Sequence, residues 1–144
     1  MRIGIGSVCG FMLACCLVHS ACAQQNLGEV LDRGATKLSQ AEMESLLIGA
    51  TLSYDTTPGR RVELDPRPDG RIHGRIVVGR SMGNIQGDWR FAPSGRFCYH
   101  ITFLAAHPVE QRRCQFWFKL GEGYFASRSD AVRTDPVIAY RVSR

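Results

Sequence analysis

The sequence predicts a mainly β fold: an antiparallel up-and-down barrel of about eight strands with one short N-terminal helix. Three observations predict it. From Ala50 onward, short apolar or alternating runs are separated by Gly, Pro and Asp at strand-like intervals. Cys98 and Cys114, the only cysteines beyond the first two dozen residues, stand symmetrically about a turn expected near Ala106. The runs number about eight, at which an antiparallel sheet can close and remove its exposed edges.

Residues 1–23 read as a secretory signal peptide. Arg2 supplies the positive charge, Ile3 to Val18 is apolar or small, and no acidic residue precedes Glu29. Ala21-Cys22-Ala23 fits the small-x-small cleavage rule, leaving Gln24 first. A lipid anchor at Cys22 or Cys16 is the competing expectation. It is disfavoured because His19 stands three before Cys22, and Cys15 immediately before Cys16. No membrane span is expected, since crossing takes about 20 apolar residues. Periplasm or secretion is therefore the expected location.

Residues 24–38 are polar without a clear period and read as a flexible lead-in. Residues 39–144 form a single β-barrel domain. Ser39 and Glu42 make an S-x-x-E capping box, Met43, Leu46 and Leu47 share one face, and Gly49 ends the helix. That helix is expected to pack across the sheet or close one barrel end.

Strands follow in order. Ala50–Asp55 runs to the Thr57-Pro58-Gly59 turn, and Arg61–Leu64 to Pro68-Asp69-Gly70. Ile72, Gly74, Ile76 and Val78 alternate with Arg71, His73 and Arg75, the pattern of a half-buried strand. Asn84–Phe91 ends at Pro93-Ser94-Gly95. Arg96–Leu104 and Gln111–Leu120 flank the turn at Ala105–Pro108. Tyr124–Arg128 and Val137–Val142 are separated by Asp135-Pro136.

The cysteines set a register. Facing residues of an antiparallel pair have a constant sum of positions, so Cys98 opposite Cys114 centres the hairpin on Ala106. A disulfide is expected there. The same register sets Phe97 opposite Gln115, Tyr99 opposite Arg113 and His100 opposite Arg112. One face carries Cys98, Thr102, Leu104, Cys114, Phe116 and Phe118. The other carries Phe97, Tyr99, Ile101 and Phe103 with Gln111, Arg113, Gln115 and Trp117. Both hold large apolar groups, and the sequence leaves open which faces inward.

Removing Arg2 with the signal leaves 17 basic and 13 acidic residues, a net of +4. The arginines are scattered or paired and form no basic block, so they read as solvated strand faces, and no nucleic-acid partner is expected.

Leu46-Leu47, Gly49-Ala50-Thr51, Pro68-Asp69-Gly70, Gly87-Asp88-Trp89-Arg90-Phe91, Gly95-Arg96-Phe97-Cys98 and the second cysteine strand ending near Gly123-Tyr124 occur in that order. Over about Ser39 to Tyr124 this arrangement resembles a family of small exported bacterial lipocalin-like proteins of unknown function. The resemblance implies a calycin-like barrel and carries no catalytic residues.

Chemical motifs are few. His73, His100 and His107 lack zinc-site spacing and read as surface or turn residues. Cys98 and His100, two apart on a strand, do not make an oriented nucleophile and base. Ser127 and Ser129 lack a G-x-S-x-G context. Asp65 and Asp69 are accounted for by turns. No cofactor or metal is expected. The expected function is noncatalytic binding of a small apolar ligand or an envelope protein partner. Trp89, Phe97, Tyr99, Phe103, Arg113 and Trp117 are the candidate surface. An envelope hydrolase using Asp88 and a structural envelope protein are the alternatives, and core filling is the competing role for the rings.

Overall fold

Alternation of inward apolar and outward polar residues closes the chain into a barrel. The computed structural model describes residues 25–144; the expected signal peptide, Cys16 and Cys22 lie outside that range. The elements are α1 (Leu27–Asp32), β1 (Thr36–Lys37), α2 (Gln40–Leu47), β2 (Thr51–Thr57), β3 (Arg60–Pro66), β4 (Arg71–Val78), β5 (Ser81–Phe91), β6 (Phe97–Leu104), β7 (Val109–Leu120), β8 (Gly123–Ser127) and β9 (Ile138–Ser143). Antiparallel neighbours run β7-β6-β5-β4-β3-β2-β9-β8, and β8 returns to β7, which closes an eight-stranded ring.

The strands agree with the expected eight to within a few residues at their ends. Cys98 lies opposite Cys114 and is bonded to it, with Cα atoms 4.0 Å apart. Phe97 faces Gln115, Tyr99 faces Arg113 and His100 faces Arg112. Closing so short a loop stabilises by about 3 kcal/mol on the chain-entropy account.

The inward face is the one carrying Phe97, Tyr99, Ile101, Gln115 and Trp117, which join Leu52, Tyr54, Val62, Leu64, Ile72, Ile85 and Tyr140 in the main core. The disulfide stands on the outer face. Phe118 is nevertheless fully buried, because α1 lies over that face and packs Leu27 and Val30 against Phe118 and Val137.

Here the expectation of a flexible lead-in over 24–38 is corrected. The segment holds a second helix, α1, and a further strand, β1. Asn26 and Glu29 form their own capping box: the Glu29 amide donates to Asn26 Oδ1 at 3.0 Å and the Asn26 amide to Glu29 Oε2 at 3.3 Å. Leu27 and Val30, one turn apart, then bury on the outer layer. β1 pairs Thr36 with Lys119 and Lys37 with Phe118, covering the edge of β7 beyond the start of β6. Leu38 extends this cover by donating its amide to the Trp117 carbonyl at 2.8 Å.

α2 follows the expected capping box, with the Ser39 amide donating to Glu42 Oε2 at 2.7 Å. Met43 and Leu47 are buried in the barrel core, and Gly49, at φ 79°, turns the chain into β2 while its amide donates to the Pro66 carbonyl. α2 therefore closes the barrel end at which β2 begins and β3 ends.

Candidate functional site

The two barrel ends differ in what fills them. At the α2 end, Trp89, Phe91 and Phe97 form a ring cluster with centroids 5.7–5.8 Å apart, and Trp89 Nε1 donates to the Arg67 carbonyl at 2.7 Å. That end is plugged. The far end is formed by the last residues of β2, β4 and β6 and the first of β3, β5 and β7. Four of the five large exposed apolar side chains among the described residues lie there: Val78 (48% exposed), Met82 (71%), Leu104 (43%) and Val109 (59%). Val109 faces Phe103 across the β6–β7 hairpin, and Met82 faces Val77. The far end thus has an apolar rim in water.

The wall is also split on that half. β8 pairs with β7 only over Phe116–Leu120, and β9 pairs with β2 only over Thr51–Ser53. Above those residues β7 and β2 have no ladder partner on their facing sides. Side chains bridge the split instead. The Arg113 guanidinium lies over the Tyr54 ring, 5.5 Å from its centroid. The Gln111 amide, oriented to satisfy its neighbours, accepts from Arg113 Nε at 2.8 Å and Nη2 at 2.6 Å, and its other end is 3.3 Å from the Tyr54 hydroxyl.

Beneath this bridge lies a polar and aromatic layer. Tyr140 donates to Gln115 Oε1 at 3.1 Å, its hydroxyl is 3.5 Å from that of Tyr99, and its ring lies tilted against those of Tyr54 and Trp117, with centroids 5.0 and 4.4 Å away. Burial is the first cause raising the pKa of all three phenols, so they stay neutral and none serves as a base at ordinary pH. Trp117 Nε1 is the one buried side-chain polar atom without a hydrogen-bond partner among the described residues.

Beside the split is a recess of about 1100 Å³. It runs from Tyr54–Gly59 and Arg113 to Val137–Ala139 and Arg141. Asp55 in its wall takes both Arg61 (3.3 Å) and Arg141 (3.1 Å), and this pairing holds its carboxyl below the usual range against the opposing effect of desolvation.

The six candidate residues divide between these regions. Trp89 and Phe97 belong to the plugged end, while Tyr99 and Trp117 are buried in the middle layer. Phe103 and Arg113 reach the open half. Tyr54, Gln111 and the rim residues complete the arrangement; of these Gln111 was legible as part of one row with Arg113 and Gln115, whose inward direction the sequence left open. Asp88 is exposed on the outer face, in register with Arg71 and His100. His100 Nε2 meets Glu110 Oε2 at 3.2 Å on that face. No group of three or more His, Cys, Asp or Glu among the described residues is arranged to hold a metal ion.

The fold and site define a closed eight-stranded antiparallel barrel, capped by α2 at one end and carrying a split wall and a side recess toward the other. Comparison with protein-family models, curated proteins and solved structures gives no match for this chain.

Proposed function

We propose that this is an exported, noncatalytic binding protein that takes a small amphipathic molecule at the open half of its barrel. The observation that carries this reading is a recess large enough for a small ligand beside the split wall, where Tyr54, Val77 and Ile138 supply apolar surface and Arg113 a cation. At the same end Val78 and Val109, on the inward-facing rows of β4 and β7, stand exposed to water. A ligand laid over them removes that apolar area. Export fits the signal-like N-terminus and the disulfide, a bond that persists in oxidising compartments.

The test is titration with N-phenyl-1-naphthylamine, a neutral probe whose fluorescence rises in apolar surroundings. The expected result is saturable binding near one equivalent, weakened by Val109→Asp at the rim, with unfolding curves for the variant close to those of the parent. Absence of saturable binding, together with no small molecule retained in native mass spectrometry of the protein from its envelope, would overturn the proposal.

A further inference from the structure

Arg113 stands apart from the other arginines. Those on the central stretches of the strands, including Arg61, Arg75, Arg90, Arg112 and Arg141, occupy outward positions, whereas Arg113 sits in the inward row with Gln111 and Gln115. It is half-buried, and no carboxylate among the described residues lies within ion-pair distance of it. The neighbouring arginines of the recess, Arg61 and Arg141, share Asp55. Two of its donors are engaged by Gln111. The remaining guanidinium N–H groups have no protein acceptor among the described residues, although the residue lines the recess. Withdrawing a cation from water without an anion is unfavourable, and the Tyr54 face offsets only part of that cost.

We propose that Arg113 is the head-group anchor of this site and that the ligand carries a single carboxylate. The inference rests on the binding reading above and adds the chemistry of the ligand. One unpaired guanidinium matches one negative charge, and the planar fork accepts a carboxylate through two parallel hydrogen bonds. A doubly charged phosphate would bring a second charge toward Asp55 and Glu63 in the same recess. The apolar tail then lies toward Val77 and Ile138 in the same recess.

The experiment compares decanoate, decanol and decyltrimethylammonium, which share a tail and differ in head group, by displacement of N-phenyl-1-naphthylamine from the full mature chain. Decanoate is expected to displace the probe most tightly. Arg113→Met is expected to weaken decanoate by roughly ten- to hundredfold, the range for losing a charge-assisted pair, while leaving decanol unchanged. Arg113→Lys is expected to recover part of the loss, which separates a charge role from a packing role. If decanol competes as well as decanoate, or Arg113→Met binds decanoate as the parent does, the anchor is overturned and the binding site stands. If probe binding itself fails, both readings fall together.

Discussion

Tyr54, Tyr99 and Tyr140 show what a polar group inside a small barrel requires. Each is nearly inaccessible, and each hydroxyl has a neighbour within 3.5 Å in Gln111, Gln115 or another tyrosine. Removing one member leaves a buried partner stranded. Tyr140→Phe deprives Gln115 Oε1 of its donor and is expected to cost about 1–3 kcal/mol in urea unfolding. The same phenols make stability depend on alkaline pH. Their folded pKa values are raised, chiefly by burial, so the folded state retains protons that the unfolded chain loses from about pH 10 upward. Their contribution is fully present below that pH and declines above it, by about 1.4 kcal/mol per pH unit for each phenol. Unfolding midpoints measured from pH 9 to 11.5 should fall, and Tyr140→Phe should flatten the fall by about a third. An identical slope in parent and variant would contradict this account.

At the scale of elements, two strand glycines permit the tight curvature of the wall. A Cβ built on Gly87 would stand 2.0 Å from the His100 carbonyl oxygen, and one on Gly74 2.2 Å from that of Glu63. Both obstacles are backbone of the adjacent strand, so no side-chain adjustment relieves them. Gly87→Ala is therefore expected to destabilise by roughly 1–3 kcal/mol or more, read as a lowered urea midpoint. A variant as stable as the parent would show that β5 and β6 can separate without cost. Gly74 and Gly87 also show how unevenly the sequence disclosed the fold. Ile72, Ile76 and Val78 announced β4 by period, and Gly74 took its place in that pattern without revealing the close approach that needs it. Ser39 and Glu42 made α2 readable, whereas the equivalent Asn26 and Glu29 introduce only six helical residues, too few for a visible apolar stripe. The inward face of the β6–β7 hairpin was ambiguous for a physical reason. Phe118 faces outward on β7 but is buried by Leu27 and Val30 from a distant segment, so neither face of that strand is polar throughout. The apolar rim was equally hidden. Val78 and Leu104 sit in ordinary strand runs, and Met82 and Val109 fall outside the strands that the sequence delimits.

For the whole molecule, the ring is continuous while its wall is not uniformly hydrogen-bonded. The lower half closes through β9 with β2 and β8 with β7, under the cover of α1, β1 and α2. In the upper half, Tyr54–Thr57 of β2 and Gln111–Gln115 of β7 have no ladder partner on the side of the split. Side chains hold the wall there, Gln111 and Arg113 against Tyr54 and Arg141 against Asp55. Backbone amides that lack a ladder partner open at low free-energy cost, while those in a packed ladder exchange only through larger unfolding events. Hydrogen exchange should therefore be graded along single strands. Amides of Tyr54–Thr57 that point away from β3 are expected to exchange orders of magnitude faster than those of Thr51–Ser53 in the same strand. A carboxylate bound at Arg113 should slow the fast set, because it adds a contact across the split, and leave the lower half unchanged. Uniform protection along β2 would mean that the upper wall is held as firmly as the lower. Ligand entry would then require some other opening than the gap between β2 and β7.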